Sequence, residues 1–230
     1  QKIERFEHTP IDYCVLLPFT KELSMLSARE FMEILHRVYH VQTLFVGYDH
    51  HFGHGQDEGF QQYCEYGKEL GMRVMHSKAL IEDGVSVSST LIRSCLLEGD
   101  IHRANAYLGY YYLNGQVVDG RKLGRTIGFP TANIQPLCEE KLLPAAGVYA
   151  VYVYIGKECY GGMLNIGSCP TVNTDERPAS IEVHILNFTG DLYQKLVKVE
   201  FLDYIRPEVK FDNVEALTEQ LQRDKVTVKK

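Results

Sequence analysis

One stretch of the chain gathers residues able to handle phosphate: Gly115-Gln-Val-Val-Asp-Gly-Arg-Lys-Leu-Gly-Arg-Thr-Ile-Gly-Phe-Pro-Thr-Ala-Asn133. It holds four glycines and three cations, Arg121, Lys122 and Arg125. Amides at glycines turn toward anionic oxygens without a Cβ clash. Gly120, Lys122, Gly124 and Arg125 are therefore candidate nucleotide contacts. The stretch carries no Walker sequence, so a P-loop is excluded by pattern. Pro130 favours an extended start, and residues two apart on an extended segment share a side, so Thr131 and Asn133 converge. A hydroxyl and an amide carbonyl are hard oxygen ligands suited to Mg²⁺, which takes its remaining oxygens from water and phosphates. On spacing alone, a glycine turn whose polar residues cap local backbone is the commoner outcome.

Three further groups are candidates. Ser88, Ser89 and Thr90 stand where a helix begins, with Arg93 one turn in; hydroxyls and amides there face the positive end of the helix dipole. A plain serine cap is the simpler reading. In Ile181-Glu-Val-His-Ile185, Ile181, Val183 and Ile185 share one face while Glu182 and His184 share the other. His184 reads as a partner or packing residue. Arg206 follows a strand, beside a proline turn. His50, His51 and His54 cluster, but their spacing fits no common zinc pattern.

Two different strand grammars must position these residues. In the first half, apolar runs at Tyr13–Phe19 and Thr43–Gly47 and a strand at Met72–Met75 alternate with helices. Ser27 and Glu30 form a capping box, with Phe31, Ile34, Leu35 and Val38 at helical spacing behind it. Phe60–Leu70 is a helix stopped by Gly71. Ser88 or Ser89 opens another through Leu97, and Asp100 opens one ending at Gly109. This alternation predicts a parallel α/β sheet. After residue 110 the strands at Val148–Tyr154, Ile181–Ile185 and Lys198–Leu202 are rich in β-branched and aromatic residues, which predicts an antiparallel barrel or sandwich closed by a helix over Val214–Arg223. The expected domains are 1–109 and 110–230.

Composition narrows the classes. The 230 residues are 45% hydrophobic and 23% charged with net charge −6, an acidic balance that argues against a nucleic-acid partner. No apolar run approaches a membrane span. Six cysteines without a C-x-x-C pair suit reduced thiols in the cytoplasm. Oligomeric state is not written in the sequence.

Taken in order, Gly128-Phe-Pro-Thr-Ala-Asn133, Leu143-Pro with Gly147-Val-Tyr-Ala150, Asn165-Ile-Gly with Pro170-Thr171, Glu182-Val-His-Ile-Leu186, Asp191-Leu-Tyr193 and Ile205-Arg-Pro-Glu208 resemble the riboflavin kinase family. The resemblance implies a six-stranded Greek-key barrel that moves the γ-phosphate of ATP onto riboflavin to make FMN. It implies that Thr131 and Asn133 hold Mg²⁺ with the nucleotide, that Glu182 is the base, and that Arg206 lies in a mobile flap helping to hold the flavin. A carboxylate lifted off an apolar face beside the metal can accept the proton of the ribityl 5′-hydroxyl. The small-molecule partners implied are riboflavin, FMN, ATP and ADP. The alternative is a flavin-binding or regulatory protein without turnover.

The first half resembles the second part of the Rossmann-like FMN adenylyltransferase domain that precedes the kinase in bacterial bifunctional FAD synthetases. The matching pieces are Leu16-Leu-Pro-Phe-Thr20, Leu26-Ser-Ala-Arg-Glu-Phe31, Val46-Gly-Tyr-Asp-His-His-Phe-Gly53 and Val87-Ser-Ser-Thr-Leu-Ile-Arg93. No H-x-G-H signature after a first strand opens the chain, and Phe52-Gly-His-Gly55 lies in the later loop. Upstream sequence is therefore expected. The intact protein is expected to adenylylate FMN to FAD, and the 230-residue chain is not.

Overall fold

A computed structural model describes residues 3, 6–54, 58–110, 112–120, 123–167 and 180–229. The chain divides into two compact units, Gln1–Ile81 and Glu82–Lys230.

The first unit is α/β. After a short helix α1 (Lys21–Ser24), α2 (Ala28–Tyr39) begins at the expected capping box, with Ser27 and Glu30 bonding reciprocally. Strand β1 (Thr43–Val46) pairs in parallel with β2 (Arg73–His76), and α3 (Phe60–Leu70) connects them, ending at Gly71 in the left-handed conformation. Ala28, Met32, Val46 and Tyr63 form its buried core. Two expectations fail. Of the expected apolar face of α2, Phe31, Ile34 and Leu35 are half-buried but Val38 is exposed, and the helix instead buries Ala28 and Met32. The apolar run Tyr13–Phe19 is not a strand, and Tyr13 and Phe19 are 89% and 82% exposed. An apolar run becomes a strand only where a ladder partner satisfies its backbone. Among the described residues β1 pairs with β2 alone.

The second unit opens with two-residue strands β3 (Ile81–Glu82, straddling the division) and β4 (Val85–Ser86), then helices α4 (Ser89–Glu98) and α5 (Ile101–Leu108). Ser88 and Asp100 cap the two helices, and Gly99 and Gly109 end them in the left-handed conformation. Six strands follow: β5 (Tyr112–Val118), β6 (Ala132–Pro136), β7 (Gly147–Ile155), β8 (Glu158–Ile166), β9 (Ile181–Ile185) and β10 (Leu196–Arg206). They close into a barrel in the order β10-β5-β6-β9-β8-β7. The consecutive strands β7, β8 and β9 are joined pairwise, and β10 returns to lie antiparallel beside β7, which is a Greek key. A four-residue helix α6 (Leu123–Thr126) lies between β5 and β6, and α7 (Val214–Val228) ends the chain.

Alternation makes the barrel core. Tyr149, Val151 and Val153 on β7 and Val197, Val199 and Phe201 on β10 are buried; from Tyr149 on, the residues between them are half-buried or exposed, while Val148 at the start of β7 is buried too. Cys95 and Leu96 of α4 and Ile101, Ala104 and Tyr107 of α5 join the same core. Asn105 donates to the Phe201 carbonyl at 2.9 Å. The change of strand grammar near residue 110 therefore falls inside the second compact unit. Periodicity registers the switch to barrel strands, whereas packing groups the two preceding helices with the barrel they cover.

Candidate active site

Strands β6 and β9 lie side by side, with Asn133 opposite Glu182 and Ala132 opposite Val183. Pro130 and Thr131 extend β6 backward. The Thr131 hydroxyl comes 3.3 Å from Glu182 Oε2, so three hard oxygen groups from two strands converge.

The turn before β6 sets this up. The Phe129 amide donates to the Gly124 carbonyl at 2.8 Å, closing α6 onto the segment that leads to Pro130. A Cβ at Gly124 would stand 2.1 Å from the Phe129 carbonyl oxygen. Gly120, just past β5, packs against the Asn133 amide; a Cβ there would lie 1.8 Å from Nδ2.

Two cavities meet at Thr131, which lines both. The larger, about 850 Å³, runs from Asp119 and Gly120 past Arg125, Thr131 and Asn133 to the loop carrying Asp191 and Tyr193. The smaller, about 270 Å³, is walled by apolar groups including Phe129, Met163, Leu217 and Leu221, with Asn165, Glu182, His184, Arg206 and Glu208 as polar points. The first suits a polyanion with bound cation. The second has the apolar body and few polar handles of a small-molecule site.

The candidate residues do not all fall together. Gly120, Arg125, Thr131 and Asn133 line the larger cavity. Gly124 lines the smaller one, where its missing Cβ serves the close turn. Arg121 and Lys122 lie outside the described residues. Arg206 is the last residue of β10 and sits in the smaller cavity's wall. Its guanidinium holds Asp224 of α7 with bonds of 2.8–3.1 Å, and donates to the Pro207 carbonyl. Ser88 spends its hydroxyl as the cap of α4, accepting from the Leu91 amide at 3.2 Å. Ser89, Thr90 and Arg93 are exposed on the first turns of that helix.

His184 and Asp224 were underweighted by sequence. His184 is buried, donates from Nδ1 to the Pro130 carbonyl at 2.8 Å, and meets Phe129 edge to face. Burial pushes its pKa below the usual histidine value; the bond to Pro130 opposes this and Lys225 reinforces it. Its signal was its place beside Glu182 on one strand face. Asp224 is 2% exposed, bound by Arg206 and by Gln220 at 2.8 Å. Its signal was an acid at helical spacing behind Leu217 and Leu221, on the stripe that should be apolar.

In the first unit, the loop after β1 is pinned by Tyr63. Its hydroxyl bonds the Phe52 amide and carbonyl and the Glu58 carbonyl, and its ring stacks on Phe52 at 4.2 Å. His51 Nδ1 meets the Glu58 carbonyl at 3.1 Å. Among the described residues no helix is long and apolar enough to cross a membrane.

A closed barrel that sets a hydroxyl, an amide and a carboxylate where a polar cleft meets an apolar cavity fits the class of small-molecule phosphotransferases. The riboflavin kinase family model matches residues 108–230, and the FAD synthetase model matches residues 1–91. Bifunctional riboflavin kinase/FMN adenylyltransferases are similar over almost the whole chain. The Listeria monocytogenes protein is 35% identical, over 97% of this chain and 70% of its own length. The Escherichia coli protein is 34% identical, over 100% and 73%, and that of Pseudomonas fluorescens 38%, over 93% and 68%. A crystal structure described as a macrolide-efflux protein from Streptococcus pneumoniae superposes with TM-score 0.90 at 31% identity, covering 99% of this chain and 73% of that one. The chain belongs to the bifunctional riboflavin kinase/FMN adenylyltransferase family.

Proposed function

We propose that this chain phosphorylates riboflavin with ATP, giving FMN and ADP, with the nucleotide in the larger cavity and the flavin in the smaller. One observation carries the division of substrates: Thr131 lines both cavities, and its hydroxyl lies 3.3 Å from Glu182, which lines the smaller. The ribityl 5′-hydroxyl then stands where Glu182 can accept its proton. The freed oxygen attacks the γ-phosphorus as the bond to the ADP oxygen breaks. Thr131 and Asn133 Oδ1 would hold Mg²⁺, a set that fits hard oxygen coordination completed by phosphates. When bound, the ion neutralises charge across the β- and γ-phosphates. Arg125 adds a cation at the cleft wall.

The test is direct. Riboflavin, ATP and Mg²⁺ with this chain should give FMN and ADP in equal amounts, abolished by a chelator. A folded chain that binds flavin and ATP but yields no FMN would overturn turnover and leave a flavin-binding protein.

The FAD synthetase match over residues 1–91 favours a second activity, transfer of AMP to FMN. Incubating FMN with ATP tests it, with FAD as the product read; no FAD from folded protein would remove the second activity. We propose that the functional boundary lies near residues 109–110. The free thiols of the described cysteines fit a reducing compartment, the cytoplasm.

A further inference from the structure

We infer that His184 is a positioning residue for phosphoryl transfer: it pins the Pro130–Thr131 peptide so that the Thr131 hydroxyl stays between nucleotide and Glu182. The inference rests on the proposed kinase reading and deepens it.

The Pro130 carbonyl can only accept, so the His184 Nδ1 in contact with it at 2.8 Å carries a proton. This carbonyl belongs to the peptide unit whose next residue is Thr131. With the Pro130 φ already locked by its ring, holding this carbonyl fixes the Pro130 ψ and so the peptide plane from which Thr131 and its side chain depart. Pro130 itself has no amide to hold the segment. Thr131 precedes β6, whose register with β9 is recorded at Ala132 and Asn133. The histidine bond therefore ties down the residue just beyond the ladder.

The ring itself is held. It is 8% exposed, and Phe129 meets it at a centroid distance of 5.2 Å and an angle of 61°. Phe129 is covered in turn by Lys225 of α7, whose Nζ stands 5.8 Å from its ring centroid. A buried imidazole is costly unless its polar atoms are used, and here one is spent on the backbone of the segment carrying Thr131. A residue kept only to fill space there would not need a donor.

Two substitutions separate donor from filler. Asn places an amide N–H near the position of Nδ1 but leaves a smaller side chain. Leu fills volume but donates nothing. Affinity for Mg²⁺–ATP by calorimetry, kcat and KM for FMN formation, and Tm would be measured for the wild-type chain, His184→Asn and His184→Leu. We expect His184→Leu to weaken Mg²⁺–ATP binding and lower kcat by at least about tenfold, the order of loss that a small misplacement produces. His184→Asn should keep most of both lost quantities whatever its Tm. A packing role predicts the reverse order, with Leu tolerated and Asn impaired; that result, equal loss in both, or no loss in either overturns the inference. If the wild-type chain makes no FMN, the kinase reading fails separately, and the ATP affinities still decide the role of His184.

Discussion

The two cavities that meet at Thr131 are built by different means. The larger joins residues of β5, β6 and β9 to the irregular segments beside them: Asp119 and Gly120 past β5, the run into β6 and the loop 188–193. Its shape depends on side chains that are missing, above all the Cβ of Gly120. The smaller is walled by folded elements, with Met163 and Leu164 from β8, Glu182 and His184 from β9, and Leu217 and Leu221 from α7. A polyanion is bound through backbone amides and point charges, which need close approach. A planar apolar ligand needs surface, which strands and helices supply. The difference teaches that substitutions at the two sites should fail in separable ways.

Glu182→Gln should show the largest effect. It keeps shape and removes the base, so FMN formation should fall by about 10²–10⁴-fold while riboflavin and ATP still bind by calorimetry. Unchanged turnover would remove Glu182 from the chemistry.

Asp224→Ala should come next, and should strike the smaller cavity alone. It removes the carboxylate held by the Arg206 guanidinium, a charge that is 16% exposed. Removing one member of a buried pair costs about 3–5 kcal/mol, readable by urea unfolding. Because the pair ties α7 to β10, riboflavin KM should rise more than ATP KM. An equal rise in both would mean that the two sites are not separable.

Gly120→Ala is the mirror of that experiment. Its Cβ would collide with the Asn133 amide, an overpacking of about 1–3 kcal/mol. ATP KM should rise while riboflavin affinity by fluorescence quenching stays unchanged.

The smallest effect concerns pH. The His184 pKa is pushed down in the folded state, chiefly by burial. As pH falls, the unfolded chain takes the proton first. Stability is therefore complete above the ordinary value of about 6.5 and is lost as pH falls through the folded value. Urea midpoints should drop over that window in the wild-type chain and less in His184→Asn.

Much of this was legible along the chain. The capping box at Ser27, the stop at Gly71, the caps at Ser88 and Asp100, and strands β7, β9 and β10 all follow from local rules: a side chain that bonds its own neighbours, a glycine that accepts positive φ, a period of two. The convergence of Thr131 and Asn133 was legible for the same reason. The run Tyr13–Phe19 misled, because strand formation needs a partner elsewhere in the chain. Gly124 keeps two readings in sequence, because a glycine needed for a close turn and one needed for phosphate look alike there.

By itself, then, the sequence determined the elements, the order of the family's motifs and the pair of residues, Thr131 and Asn133, that an extended backbone turns to one side. These are properties of neighbours within a few residues. The tertiary structure alone decided that Glu182 meets Thr131 across 51 positions, that Thr131 stands between two cavities, that His184 is spent on the Pro130 carbonyl, and that Arg206 is held by Asp224 on a helix. Each is a contact between segments far apart in the chain, set by how the barrel closes and by what α7 covers, and periodicity within one segment carries no record of the segment packed against it.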